Sequence, residues 1–240
     1  MKKLIAYITT GYPDKNFTVD LIRSLKENGV DGIELGIPFS DPVADGEIIQ
    51  EVNKRALQNG YKLTDTFDVS KKTASEIDTY WMGYFNNFYH KGYDFMVEKA
   101  KEYGVKGFII PDLPYEEAVV YEKKFPLISF VAPTDSKERI REILKNPKEF
   151  IYLVAYAGIT GADKKEDLSE VIKNIRETTD TPLYIGFGVN EKTAKEKAKD
   201  VDGVIVGSAF VKVLLEDIPE SEKIKKISKM AKNIKEAINS

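Results

Sequence analysis

The chain has 240 residues, 42% hydrophobic and 31% charged, with a net charge of −3. That length and mix describe a soluble globular protein able to bury a full core without staples. The lack of cysteine excludes disulfide frameworks and thiolate chemistry and fits a reducing compartment, and the single His90 argues against a histidine-built metal site. Lys and Glu are intermingled, so there is no strongly basic face for nucleic acid. No apolar run suits a membrane span or a secretory leader, so a cytoplasmic protein is expected. Abundant Lys and Glu with short loops also hint at a thermophilic source.

Short apolar runs alternate with amphipathic stretches along the whole chain. Leu4 to Ile8 reads as a first strand, followed by the turn Gly11-Tyr12-Pro13-Asp14. Asp14 suits an N-cap, Phe17, Leu21, Ile22 and Leu25 recur at helical spacing, and Gly29 ends that helix. Gly32 to Gly36 is a second strand, with a helix through Ile48, Ile49, Val52 and Leu57. Tyr80 to Tyr84 is a third strand and Asp94 to Tyr103 its helix; Gly107 to Ile110 is a fourth, with a helix over Glu116 to Lys124. Leu127 to Val131 and Lys137 to Lys145 form the fifth pair. Ile151 to Ala155 is a sixth strand, and Leu168, Val171, Ile172 and Ile175 mark its helix. Leu183 to Gly186 is a seventh, with Glu191 to Lys199 helical; Gly203 to Gly207 is an eighth, and the last helix carries Ile224, Ile227, Met230, Ile234 and Ile238.

Apolar strands without strict alternation are covered on both faces, which means a parallel sheet. Eight such units in this length predict an α/β fold, a (β/α)8 TIM barrel, as one domain over residues 1–240. A doubly wound open sheet is the main alternative, but it usually has fewer strands and a glycine-rich first turn, and TTGYPD is not GxGxxG.

The second strand carries Glu34 in its middle, and DPVADG follows with Asp41 and Asp45. In a barrel, strand ends and the loops after them build the active site, so Glu34 and Asp45 can face one cavity. Glu34 could instead be an interior acid paired with a cation, but no Lys or Arg stands near the end of a predicted strand. Buried without a cation it would have a raised pKa and suit general acid/base work. Asp41 and Asp45 have a structural alternative too, capping the helix near Gly46 or stabilising an Asp-Pro turn.

Three late strand ends carry glycines: Ala157-Gly158-Ile159-Thr160-Gly161, Gly186-Phe187-Gly188-Val189 and Gly207-Ser208-Ala209. They are turn glycines, or they let backbone amides close on a phosphate, as in phosphate-binding barrels. Tyr7, Tyr84, Phe85, Tyr152 and Phe187 near strand ends suit core packing, and together they would also suit a flat aromatic substrate. There is no GxSxG, no HExxH and no strand-end lysine for a Schiff base. The residues describe an acid/base barrel for a phosphorylated small molecule, without metal or covalent cofactor.

The block ELGIPFSDPVADG (34–46), with AYITTGYP, IIPDLP, YAGITGAD, YIGFGV and VIVGSAFVK in that order, closely resembles the α subunits of tryptophan synthase nearly end to end. The resemblance implies a retro-aldol lyase in tryptophan biosynthesis that cleaves indole-3-glycerol phosphate to indole and glyceraldehyde 3-phosphate. Glu34 matches the family's acid/base residue and Asp45 the carboxylate that binds the indole N–H. Tyr152 matches a tyrosine near the glycerol hydroxyls. Thr160 matches the threonine of a loop that closes over the site. Gly161, Gly188, Gly207 and Ser208 match phosphate contacts, and Tyr7, where relatives often have Phe, would sandwich the indole with Phe187.

The resemblance also implies a pyridoxal-phosphate β subunit as partner, in an α2β2 heterotetramer, with the cofactor in that partner and none in this chain. The loop bearing Pro42 and Asp45, and the segment around Asn86, match α–β contact regions. Departures are the start almost directly at strand one, without the extra N-terminal helix of longer relatives, which leaves the barrel bottom more dependent on the last helix. Tyr12 stands where relatives often have Asp, Glu47 where many have Pro, and the segment between Pro114 and Phe130 is short. Two other readings compete: a non-catalytic subunit that only activates its partner, and another phosphate-binding barrel enzyme.

Overall fold

Runs that are apolar on both faces become strands, and the computed structural model, which describes residues 1–154 and 167–240, places eight of them in one parallel sheet. The chain runs β1 (Lys3–Thr9), α1 (Lys15–Glu27), β2 (Gly32–Gly36), α2 (Glu47–Gln58) and α3 (Leu63–Thr73). Then come β3 (Asp78–Met82), α4 (Phe85–Tyr89), α5 (Tyr93–Tyr103), β4 (Gly107–Ile109) and α6 (Tyr115–Tyr121). β5 (Ser129–Val131), α7 (Lys137–Ile143), β6 (Ile151–Val154) and α8 (Ser169–Arg176) follow. The order closes with β7 (Leu183–Gly186), α9 (Ala194–Lys197), β8 (Gly203–Val206), α10 (Ser208–Leu214) and α11 (Glu220–Ala237).

The strand order is β4-β3-β2-β1-β8-β7-β6-β5. Every strand therefore pairs with its sequence neighbours, and there is no switch point of the kind an open doubly wound sheet needs. The two ends meet at Phe108 and Leu127: the Phe108 amide donates to Pro126 O at 2.9 Å, and Ile128 N–H donates to Phe108 O at 3.0 Å. The sheet is thus a (β/α)8 barrel.

Two cores result. Leu4, Ile8, Ile33, Leu35 and Val204 face the helices, while Ile5, Tyr80, Ile109, Ile128, Phe150, Tyr152 and Ile205 cluster inside the barrel. Inside, large residues fill the room that glycines leave on the next strand. Ile5 pairs in register with Gly32, Tyr80 with Gly107 and Tyr184 with Gly203. A Cβ on Gly203 would meet Lys3 O at 2.7 Å and Tyr184 Cδ1 at 2.8 Å. Phe150 stacks on Tyr184 (4.7 Å, 23°) and meets Tyr80 edge-on (5.2 Å, 87°), which closes the floor. Outside, α11 packs on α1, and Lys235 Nζ donates to Asp31 Oδ2 and to Lys2 O.

Local signals explain most boundaries. Asp14 caps α1 by accepting from the Asn16 and Phe17 amides, and Gly104 ends α5 in the left-handed region at φ 80°. Several elements differ from the sequence reading. β3 covers Asp78–Met82, so Gly83 and Tyr84 lie beyond the strand. α9 is only Ala194–Lys197, because Asn190 Oδ1 accepts from the Lys192 and Thr193 amides and turns the chain first. α3 and α4 have no counterpart among the helices that the sequence predicts. The buried face of α3 is mostly small polar residues, and Ser70 and Thr73 return their hydroxyls to the carbonyls of Thr66 and Val69. That satisfies the polar groups locally and lets the face be buried without an apolar stripe. No described helix is long and apolar enough to cross a membrane.

Candidate active site

The five residues of β2, GIELG, are all buried. Strand geometry puts Glu34 on the same face as Gly32 and Gly36, inside the barrel. It is 0% exposed, and neither carboxyl oxygen has a hydrogen-bond partner among the described residues. Among the described residues, the ion-pair alternative is therefore not realised. Burial, and then the charge of Asp45, push its pKa up to about 8. At neutral pH the group is mainly a carboxylic acid, with a proton to give.

Asp45 lies in the turn between β2 and α2. Its side chain does not cap the helix, whose N-cap is Gly46 without a side-chain bond. It accepts instead from the Tyr84 hydroxyl at 3.0 Å. Burial pushes its pKa up to about 6, and the Tyr84 hydrogen bond opposes that rise. Asp41 is occupied locally by the Ser40 hydroxyl.

Tyr7 on β1 and Tyr152 on β6 reach the same space by one construction. Tyr7 pairs with Glu34 and lies against Gly36, two residues further along; Tyr152 pairs with Tyr184 and lies against Gly186, again two further along. A Cβ on Gly36 would come within 2.5 Å of the Tyr7 hydroxyl, and one on Gly186 would collide with the Tyr152 hydroxyl. Both phenols are pushed well above their usual range, mainly by burial and further by the charges of Asp45 and Glu34. Phe187 is 38% exposed at φ 70° and meets Tyr152 edge-on at 6.2 Å.

At the far end of the mouth, Gly188 follows Phe187 in the left-handed region at φ 67°. Gly207 and Ser208 open α10, and a Cβ on Gly207 would sit 3.4 Å from Tyr7 Cβ. The structure thus brings Glu34, Asp45, Tyr7, Tyr152 and Gly207 around one mouth, with Phe187 against Tyr152, Gly188 next to Phe187 and Ser208 next to Gly207. Thr160 and Gly161 lie outside the described residues. Among the described residues, no group of His, Cys, Asp or Glu is arranged to hold a metal.

The family model for the tryptophan synthase alpha chain matches residues 1–239. The chain belongs to this family. It is 53% identical over 247 aligned positions to the tryptophan synthase alpha chain of Wolinella succinogenes, covering all of this chain and 97% of that one. The solved tryptophan synthase subunit alpha from Campylobacter jejuni superposes with a TM-score of 0.86 at 34% identity, covering 95% of each chain. A tryptophan synthase structure from M. tuberculosis superposes at 0.87 with 28% identity, covering 100% of this chain and 94% of that chain.

Two mouth residues of this α-chain family member escaped the sequence reading. Tyr84 was read only as one mouth aromatic among several, and its bond to Asp45 joins residues 39 apart. Lys197 Nζ donates to Phe187 O at 3.0 Å and lies beside Gly188. The glycine loop at residues 186–189 could have signalled a nearby cation, but helical spacing does not say which lysine reaches it.

Proposed function

We propose that Glu34 and Asp45 carry the α reaction of tryptophan synthase, the retro-aldol cleavage of indole-3-glycerol phosphate to indole and glyceraldehyde 3-phosphate. The buried carboxyl of Glu34 beside Asp45, without a hydrogen-bond partner among the described residues, carries this reading. Glu34 gives its proton to indole C3, and the ring nitrogen becomes positive. Asp45 accepts the N–H and stabilises that charge. Glu34, now a carboxylate, takes the proton of the side-chain hydroxyl next to the ring. The carbon–carbon bond breaks, its electrons return to the indole ring, and the hydroxyl carbon leaves as an aldehyde. One carboxyl suffices because the proton given and the proton taken belong to successive steps.

In this carbon–carbon lyase, Tyr7 and Phe187 flank the indole and Tyr152 meets the glycerol chain. Gly161, Gly188, Gly207 and Ser208 hold the phosphate, and Thr160 closes on Asp45. The chemistry needs no cofactor in this chain, since the protonated indole is itself the electron sink. Indole passes to a pyridoxal-phosphate β subunit, in a cytoplasmic α2β2 assembly that makes tryptophan. Val43 (80% exposed) and Tyr89 (64%), on the Asp45 turn and on α4, are large apolar side chains that such a partner would cover. The same reading takes residues 1–240 as one barrel domain.

The test is indole release from indole-3-glycerol phosphate by the purified chain, with and without a tryptophan synthase β subunit. Slow release alone and fast release with β is the expected result. No release in either condition from folded protein would refute the proposal.

A further inference from the structure

Asp45 lies in a turn whose own residues do little to hold it. Val43 and Ala44 are exposed, and the turn's backbone–backbone hydrogen bonds are Val43 N–H to Asp41 O and Asp45 N–H to Pro42 O, while Gln50 Nε2 donates to Asp45 O at 2.7 Å. The side chain nevertheless has a definite partner, the Tyr84 hydroxyl. That oxygen is 3.0 Å from Asp45 Oδ2 and 2.9 Å from the Ala44 amide nitrogen. An amide only donates, so Ala44 takes a lone pair of the phenol oxygen. The phenol's single proton is left for the carboxylate. One atom therefore ties down two consecutive residues of the turn.

Tyr84 is itself held on every side. It is 3% exposed and stacks on Phe39, at the start of the same connection, at 5.2 Å and 22°. Its amide donates to Asn87 Oδ1 at 3.0 Å, and the Phe85 amide donates to Asp112 Oδ1 at 2.7 Å. The anchor is thus rigid and the turn is the part being anchored.

We propose that Tyr84 is a positioning residue for the cleavage reaction, its hydroxyl aiming the Asp45 carboxylate into the barrel mouth. This rests on the role given to Asp45 above. The groups facing Asp45 are Glu34 from β2, Tyr7 from β1, Tyr152 from β6 and Tyr84 itself, with Asp112 behind Tyr84 from the β4–α6 connection. None of these is a cation. Among the described residues, Tyr84 is the group that favours the ionised form of Asp45, against a burial that disfavours it. A catalyst that must offset a positive indole ring needs that form.

The experiment is Tyr84→Phe, which keeps the ring and its stacking and deletes only the hydroxyl. Two quantities are followed: kcat against pH, and the titration of the Asp45 carboxyl by carbon-13 NMR. Loss of a hydrogen bond to a charged group predicts a fall in kcat of about ten- to a hundredfold near pH 7. The KM should change less, and both the acid limb of kcat and the Asp45 titration should move to higher pH. Unchanged circular dichroism and unchanged binding of inorganic phosphate would establish that the fold and the phosphate end are intact. An Asp45 titration that stays where it was overturns the proposal even if the rate falls, because the residue then acts through packing alone. Asp45→Asn, measured in parallel, separates the two ideas: wild-type turnover there sinks the role of Asp45 itself, whereas a large loss there with normal Tyr84→Phe behaviour sinks only the positioning by Tyr84.

Discussion

At the floor of the barrel, Tyr80, Phe150 and Tyr184 pack ring against ring over Gly107 and Gly203, and the Tyr80 hydroxyl donates to Glu149 Oε2 at 3.1 Å. At the mouth, Tyr7 and Tyr152 also lie against glycines, Gly36 and Gly186, but they share the space with Glu34 and Asp45. The same device, a large ring beside a glycine on the next strand, gives a closed plug at one end and an acidic chamber at the other. The floor brings its tyrosine and glutamate together. The mouth keeps both oxygens of Glu34 buried and without a hydrogen-bond partner among the described residues, a state that costs stability.

The sharpest way to break this comparison is Glu34→Gln. It should abolish indole release, a loss on the order of a thousandfold or more, while leaving the protein folded and at least as stable. Clear residual cleavage in a rate assay would mean that the acid/base group lies elsewhere.

Next in size is the pH dependence of stability. The folded-state pKa of Glu34, about 8, lies above its ordinary 4.5, so the folded chain holds a proton that the unfolded chain releases. Stability is therefore fully present below about 4.5 and declines as pH rises toward 8, by up to ~1.4 kcal/mol per pH unit. Asp45 adds a smaller change of the same sign between 3.8 and about 6. Melting curves of wild type and Glu34→Gln across pH 4 to 9 should diverge in slope over this window; parallel curves would show that Glu34 titrates normally.

Two glycine substitutions then probe the two ends alike. At the floor, Gly203→Ala pushes on the backbone oxygen of Lys3 at 2.7 Å, which cannot swing away, and should cost about 1–3 kcal/mol with the rate constant intact. At the mouth, the nearest atoms that Gly186→Ala meets belong to the Tyr152 side chain, and it should lower kcat more than stability. Chemical denaturation and turnover, measured on both, would contradict the division if the losses came out reversed. The smallest effect is expected of Tyr80→Phe, which deletes the floor hydrogen bond: about 1 kcal/mol by denaturation and no change in turnover.

Much of the barrel was legible because its strands announce themselves. Runs such as Leu4 to Ile8 and Gly203 to Val206 are apolar on both faces, and glycines or caps such as Asp14 and Gly104 mark the helix ends. The reading failed where burial was achieved mostly with small polar side chains, as in α3. It also failed where an apolar run continued past its strand, as Gly83-Tyr84 does after β3. At the mouth, the absence of a strand-end cation near Glu34 could be read directly from residue types. The partner of Asp45 could not, because Tyr84 comes from the end of a different strand.

The amino-acid sequence by itself determined the eight β/α units, the family and an interior glutamate, since periodicity and residue type are local properties. Only the tertiary structure decided which group the Asp45 carboxylate bonds. In a DPVADG turn a carboxylate can cap the following helix or point inward at similar local cost, and the choice falls to a hydroxyl that the barrel brings from the end of β3.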